Sequence, residues 1–183
     1  MARKTDLSIS QWPMPRHVPD RAALERMAVR FPQLEIETAE TYLALLTAST
    51  ELHRALSKHY AAHGLPSGRF VVMVSLLNAP NQTATPSELA DQLGVTRSTM
   101  TGLLDSLERE GLLERLPVSP DDRRCRAVRL TPAGVRKMEA VMPDHLQRVS
   151  ALMKPLKPSE RKTLARLLAT IMKGLEALNH ANE

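Results

Sequence analysis

Two helix-start signals separated by one glycine turn constrain this chain more than any other feature. Thr85-Pro86-Ser87-Glu88 places threonine at the N-cap, proline at the first helical position and glutamate three residues after the cap, the pattern of a capping box. Gly94 ends that short helix, and Thr96 can cap a second helix that ends at Gly111. Two helices joined by a tight glycine-containing turn predict a helix-turn-helix.

A charged hairpin is predicted directly after this pair of helices. Leu112–Pro117 and Cys125–Leu130 are rich in strand-forming residues, and Val118–Arg124 between them is turn-forming and charged. From Arg115 to Arg129 the sequence holds five arginines, two aspartates and no lysine. A helix-turn-helix followed by such a hairpin is the layout of a winged helix. In that module the second helix enters the major groove of DNA and the hairpin reaches along the backbone.

The remaining chain is predicted to be helical. A long amphipathic helix spans Glu35 to about His63, and the apolar segment Phe70–Leu77 fits a buried helix better than a strand in this context. Thr131-Pro132 and Pro158-Ser159-Glu160 each start a further helix. The predicted fold class is mainly α with a small β-hairpin wing (α+β): a winged helix-turn-helix with N- and C-terminal dimerisation helices.

Three regions follow from these elements. Residues 1–34 form an arm with a short helix from about Asp20 to Val29, residues 35–66 and 132–183 form a helical dimerisation region, and residues 67–131 form the winged helix-turn-helix. The last helix and the long first helix expose more apolar surface than one small winged domain can cover. We therefore expect a homodimer that selects an inverted-repeat site with half-sites ~34 Å apart.

The predicted recognition helix runs from Thr96 to Glu110. Its apolar positions turn to the core, so hydroxyl and charged side chains lie on the opposite side. Arginine pairs with guanine edges or phosphates, while serine and threonine contact either bases or phosphates. At the wing tip, an arginine is expected to enter the minor groove, oriented by a nearby aspartate. The candidate DNA contacts are Thr96, Arg97, Ser98, Thr99, Thr101, Asp105, Arg123 and Arg124, with Asp122 as the orienting residue. A solvated face with surface ion pairs is the alternative interpretation.

Composition indicates which kind of partner the protein binds and argues against a membrane protein and an enzyme. A net charge of +5 favours a polyanion, and an aromatic content of 3% argues against base-stacking platforms, so double-stranded DNA is the expected partner. Neither a signal-like stretch nor an apolar run of ~18 residues occurs, which predicts a cytoplasmic protein without a membrane partner. Phosphate loops, nucleophile elbows and zinc-protease motifs are missing from the sequence, so we expect no catalysis and no cofactor.

Several segments together resemble the MarR-type (multiple antibiotic resistance regulator) transcription factors, over roughly residues 38–178. The resemblance implies a homodimeric repressor or activator that binds a pseudo-palindromic operator. We interpret it as a repressor that a small-molecule ligand releases. The resemblance also implies that the wing pattern Asp-x-Arg of this family falls on Asp122 and Arg124. The segments that carry the resemblance are Leu89–Thr101, Leu107–Leu113, Asp121–Arg124 and Leu130–Gly134.

The same resemblance implies a small aromatic or phenolic effector, held where the dimer helices meet the DNA-binding region. Each candidate residue for that pocket has ordinary core packing as its alternative. Because the chain holds nine methionines, an adaptable pocket and an adaptable core both fit the composition. The candidate lining residues are Tyr42, Leu46, His53, Met73 and Leu77.

Two other sensing chemistries and one other function remain open from the sequence. His59 and His63, at i and i+4, could chelate zinc, but no acidic residue or cysteine nearby in the sequence completes the set, so no metal site is assigned. Cys125 lies beside Arg124 and Arg126, a setting that favours the reactive thiolate. A sequence-tolerant architectural DNA-binding protein is the alternative function.

Overall fold

The computed structural model describes residues 18–117 and 126–180, which form seven α-helices, one 3-10 turn and three short β-strands. The predicted fold, mainly helical with a small β-hairpin wing, is confirmed. The helices are α1 (Arg21–Arg30), α2 (Ile36–Ala62), α3 (Ser67–Asn78), α4 (Pro86–Leu93), α5 (Arg97–Arg109), α6 (Pro132–Met153) and α7 (Pro158–His180). The strands are β1 (Thr83–Ala84), β2 (Leu113–Pro117) and β3 (Arg126–Leu130).

Helix α1 confirms the short helix predicted in the arm. The carboxylate of Asp20 caps it by accepting a hydrogen bond from the backbone N–H of Ala23 at 2.8 Å. Leu24 is buried, and Arg21 pairs with Glu40 of α2 at 3.2 Å. Helix α1 therefore packs on the long helix α2.

The core lies inside the winged-helix region, the described part of residues 67–131, and extends to α2 and α6. Helix α3 supplies Phe70, Met73 and Leu76, which confirms that the apolar segment is a buried helix. The inner face of α5, the base of the wing and the first turns of α6 close around them. Complete burial of one such side chain contributes about 1.5–3 kcal/mol, so this core supplies most of the stability of a single chain.

A three-stranded antiparallel sheet forms the base of the wing, in the order β1-β3-β2. Leu113 pairs with Leu130 and Pro117 with Arg126, which confirms the predicted hairpin. Strand β1 was not predicted. Its two residues, between a tight turn and the cap of α4, are too short for any periodic pattern, and only their pairing with β3 defines them as a strand.

Helix α6 begins directly against the end of the recognition helix. The hydroxyl of Thr131 donates to the carbonyl of Gly111 at 2.6 Å, and its backbone N–H donates to the carbonyl of Leu112 at 3.1 Å. A Cβ at Gly134 would overlap the carbonyl oxygen of Leu112, so this close approach requires glycine. The wing base, α5 and α6 are thus joined at one point.

The last two helices leave apolar side chains uncovered. We call them the outer apolar face: Leu146, Val149 and Leu152 of α6, with Leu164, Leu167, Leu168, Ile171, Met172 and Leu175 of α7. All nine are at least 37% exposed, and Met172 reaches 62%. A face of this extent marks a contact with another surface. Among the described helices, none is both long enough and apolar enough to cross a membrane.

Candidate nucleic-acid interface

Hydrogen bonds between neighbouring residues build the helix-turn-helix. Glu88 N–H donates to the Thr85 hydroxyl at 3.2 Å, and Thr85 N–H donates to the Glu88 carboxylate at 2.7 Å, which completes the predicted capping box. The backbone N–H of Thr85, together with its hydroxyl at 2.9 Å, donates to the Glu88 carboxylate and holds the pKa of Glu88 below its usual value of 4.5. Gly94 ends α4 with φ of 63°, a left-handed conformation that glycine adopts without strain.

The N-terminal turns of α5 present an exposed polar face. The Thr96 hydroxyl accepts from the backbone N–H of Thr99 at 3.1 Å and caps the helix. On the opposite side Met100, Leu104 and Leu107 are fully buried, as the sequence predicts. The exposed members of the predicted contact set are Thr96, Arg97, Ser98, Thr99 and Thr101. A buried stripe behind them fixes the orientation in which this face meets a partner.

Arg97 lies at the edge of this face with a weak intramolecular partner. Its guanidinium is 3.5 Å from the carboxylate of Asp91 in α4, and both side chains are about 70% exposed. An exposed pair of this kind is worth only about 0–1 kcal/mol. A phosphate or a guanine edge can therefore replace Asp91 at small cost.

Two arginines hold the recognition helix in place. Arg115 of β2 pairs with the half-buried Asp105 of α5 and lies 3.4 Å from Glu108. Arg69 of α3 pairs with Glu110 and donates to the hydroxyl of Ser106 at 3.3 Å. Sequence reasoning did not assign these roles, because the partners lie 10 and 41 residues apart and follow no helical or strand spacing.

The wing strands carry a further ion pair across the sheet. Arg129 of β3 is 2.6 Å from Glu114 of β2, at the register position where the two residues face each other. The pair neutralises one wing arginine. The predicted tip residues Asp122, Arg123 and Arg124, and the candidate sensor Cys125, lie outside the described residues.

The five candidate ligand residues are divided between a helix surface and the core. Tyr42 is 58% exposed on α2, and Leu46 and His53 are half-buried on the same helix. Met73 and Leu77 both lie on α3. Met73 is fully buried in the hydrophobic core, and Leu77 packs against that core. A groove of about 420 Å³ lies between α1 and α2, lined by Val18, Pro19, Arg21, Glu40, Leu43, Ala44, Thr47 and Ala48. None of the five predicted residues lines this groove.

A cluster of potential metal ligands lies at the end of α2. His59 and His63, singled out by their helical spacing, both approach the carboxylate of Asp144 in α6. The sequence contains no signal for this third residue, because it is 81 residues from His63 and only the packing of α6 on the core brings it close.

Comparison with known families agrees with this geometry. The model of the MarR family matches residues 65–125. The HTH-type transcriptional repressor YetL of Bacillus subtilis is 28% identical over 160 residues, covering 87% of this chain and 95% of the relative. The HTH-type transcriptional regulator FarR of Neisseria gonorrhoeae is 35% identical over 103 residues, covering 56% of this chain and 70% of the relative.

Solved structures show the same arrangement of elements. A MarR family transcriptional regulator from Streptomyces coelicolor, determined in complex with DNA, superposes with a TM-score of 0.72 at 26% identity. That match covers 78% of this chain and 89% of the other. A mutant MarR of Escherichia coli complexed with operator DNA gives a TM-score of 0.64 at 28% identity, covering 74% and 95%. The likeness therefore extends beyond the winged-helix region to most of the chain.

Proposed function

This chain belongs to the MarR family of transcriptional regulators, and we propose that it represses transcription as a homodimer bound to a pseudo-palindromic operator, from which a small ligand releases it. The observation that carries the proposal is the exposed polar face of α5, backed by a fully buried apolar stripe. Contact with chromosomal DNA also requires that the protein works in the cytoplasm.

The N-terminal turns of α5 are the proposed reading surface. Small hydroxyl side chains at Thr96, Ser98 and Thr101 allow the backbone to approach the floor of the major groove. Arg97 exchanges its weak contact with Asp91 for a base edge or a phosphate. Asp105 is engaged by Arg115, so we now assign it to positioning the wing strand instead of contacting DNA.

The wing is the proposed second contact. The family pattern Asp-x-Arg falls on Asp122 and Arg124, and with Arg123 these are the proposed tip residues. An arginine at the tip would suit a narrow minor groove, which attracts a flat cation. Since α5 and the wing base are linked by the Arg115–Asp105 pair, both contacts approach the DNA as one unit.

A second copy of the chain is the proposed partner of the outer apolar face. Nine large apolar side chains on α6 and α7 are uncovered, and a two-fold axis would place the same side chains of two copies against each other. Such symmetry would also present two recognition helices to two inverted half-sites.

Ligand release is proposed from family membership, with a small aromatic or phenolic compound as the effector. The surface of α2 around Tyr42, Leu46 and His53 remains the candidate contact area, because these side chains are not fully buried. The complete burial of Met73 supports the core-packing alternative for that residue.

Selection of binding sites from random DNA duplexes, followed by affinity measurements over a range of salt concentrations, tests the proposal. We expect an inverted repeat to be selected. Arg97→Ala should cost about 1–3 kcal/mol at its base position and relax the preference there, whereas Arg124→Ala should lower the salt slope by about 1. The control is Arg26→Ala, an exposed arginine of α1, which should bind as the parent does.

Two results would contradict the proposal. Equal affinity for the selected site and for bulk DNA at the same salt would indicate an architectural protein. Parental affinity of both Arg97→Ala and Arg124→Ala would show that neither the helix nor the wing contacts DNA as proposed.

A further inference from the structure

The last turns of α2 and the middle of α6 bring two imidazoles and a carboxylate together. The Nδ1 atom of His59 lies 3.5 Å from Oδ2 of Asp144, and Nε2 of His63 lies 3.3 Å from the same oxygen. All three donor atoms are within 4.8 Å of one another. One donor from each of three side chains therefore converges on a single point.

These separations match the edges of a metal coordination shell. Zinc binds histidine nitrogen at about 2.0–2.1 Å and carboxylate oxygen at about 2.0–2.2 Å, so neighbouring donors of a tetrahedron lie roughly 3.3–3.5 Å apart. The two distances from the histidine nitrogens to Oδ2 of Asp144 both have this value. A cation would need only a small adjustment of the more exposed His63, whose side chain is 32% accessible.

His59 is poorly satisfied by the protein alone. Its side chain is only 4% exposed, and its Nε2 atom is buried without a hydrogen-bond partner. The ring is enclosed by those of Tyr60, His63 and His145 at centroid distances of 5.3, 4.9 and 6.1 Å. A bound ion at Nδ1 would give this buried ring one strong partner, while Nε2 would keep its proton and remain without one.

We propose that His59, His63 and Asp144 bind a divalent transition cation of the zinc class, which joins the end of α2 to α6. Nitrogen and carboxylate donors suit zinc and its neighbours in the first transition row, whereas calcium and magnesium prefer sets made only of oxygen. Three protein ligands leave at least one coordination position for water.

Arg148 gives the site an internal competitor. Its Nε atom donates to both oxygens of Asp144 at 3.1 and 3.2 Å, and its side chain is 58% exposed. The guanidinium holds the carboxylate in place, but its positive charge opposes a second cation at the same group. Removal of this charge should strengthen metal binding, the opposite of the effect expected for a merely structural ion-pair network.

A link from this site to DNA binding would rest on the proposed function. Helix α6 carries Asp144 and starts at Thr131, which is hydrogen-bonded to the end of the recognition helix. An ion that fixes α6 to α2 would restrict the position of α5 relative to the rest of the protomer. Zinc would then change the affinity for the operator.

The test is a titration of the full chain, stripped with a chelator, with Zn²⁺ alone in competition with a chromophoric chelator. The parent should bind one ion per protomer at this site. His63→Gln and Asp144→Asn should each weaken binding by about 10–100-fold or more, and Arg148→Gln should tighten it. Glu139→Gln is the matched control, an exposed carboxylate of α6 outside the cluster, and should bind as the parent does.

Circular dichroism establishes that each variant is folded, and the absorption spectrum of Co²⁺ in place of zinc reports nitrogen and oxygen ligands directly. The proposal is overturned if the parent binds Zn²⁺ no better than the His63→Gln/Asp144→Asn double variant, or if Glu139→Gln loses as much affinity. Metal binding is measured without DNA and operator binding with chelator present, so failure of this inference is distinct from failure of the proposed function. Equal operator affinity with and without zinc would remove the link to DNA binding.

Discussion

Helices α5 and α7 both carry an apolar stripe at helical spacing, but only the stripe of α5 is covered within one chain. Met100 and Leu104 of α5 are completely buried, whereas Leu167 and Ile171 of α7 are 47% and 41% exposed. The sequences of α5 and α7 show the same pattern, because amphipathic periodicity indicates that one face of a helix is buried but does not indicate which surface covers it. The comparison separates a region that folds around its own core from an exposed apolar face, which we propose a second copy covers.

The largest expected effect comes from truncating one leucine in each stripe. Leu104→Ala should destabilise the protein by about 2–5 kcal/mol, because it leaves a cavity in the core. Leu167→Ala, measured by urea unfolding under conditions where single chains predominate, should change stability by less than about 0.5 kcal/mol. Equal losses for the two variants would mean that α7 packs within its own chain.

Two glycine substitutions sharpen the same contrast between tight and open positions. Gly134→Ala forces a Cβ onto the carbonyl of Leu112 where α6 meets α5, and should cost about 1–3 kcal/mol. The control Gly102→Ala lies within α5, where an added Cβ meets nothing within 4 Å, and should stabilise by about 0.5–1 kcal/mol. Thermal unfolding compares the stability of the two variants. If Gly134→Ala is as stable as the parent, the backbone where α6 meets α5 can shift at little cost.

The smallest expected change in stability comes from substituting the glutamates at the starts of α4 and α7. Because the pKa of Glu88 is lowered on folding, its charge stabilises α4 above pH 4.5, and this contribution is lost as the pH falls through the lowered value. Glu88→Gln should therefore be less stable than the parent at neutral pH, with a difference that shrinks in acid. Glu160→Gln, which alters the acceptor of the Lys157 N–H at α7, should leave unfolding of the winged-helix region unchanged. If the loss of stability in Glu88→Gln were the same at every pH, this role for the charge would be excluded.

The same distinction explains what the sequence could predict. The caps at Thr85 and Thr96 and the glycine turn at Gly94 involve partners within a few residues, so their signals are local and the helix-turn-helix was predictable. Strand β1, the Arg115–Asp105 pair and the approach of Asp144 to His63 depend on segments that meet only in the folded chain. The sequence shows that residues of the right type for these contacts are present, but it does not show which of them lie close together in the folded chain.

The oligomeric state of the full chain tests the central claim most directly, since the proposed cover of the outer apolar face, the proposed pair of recognition helices and the proposed inverted-repeat operator all require two copies. Analytical ultracentrifugation at the concentrations that bind operator should give twice the 20.3 kDa mass of one chain, and Ile171→Glu should shift it toward the single-chain mass while the winged-helix region stays folded. A parent protein that sediments as a single chain while it binds the operator at full affinity would contradict the account.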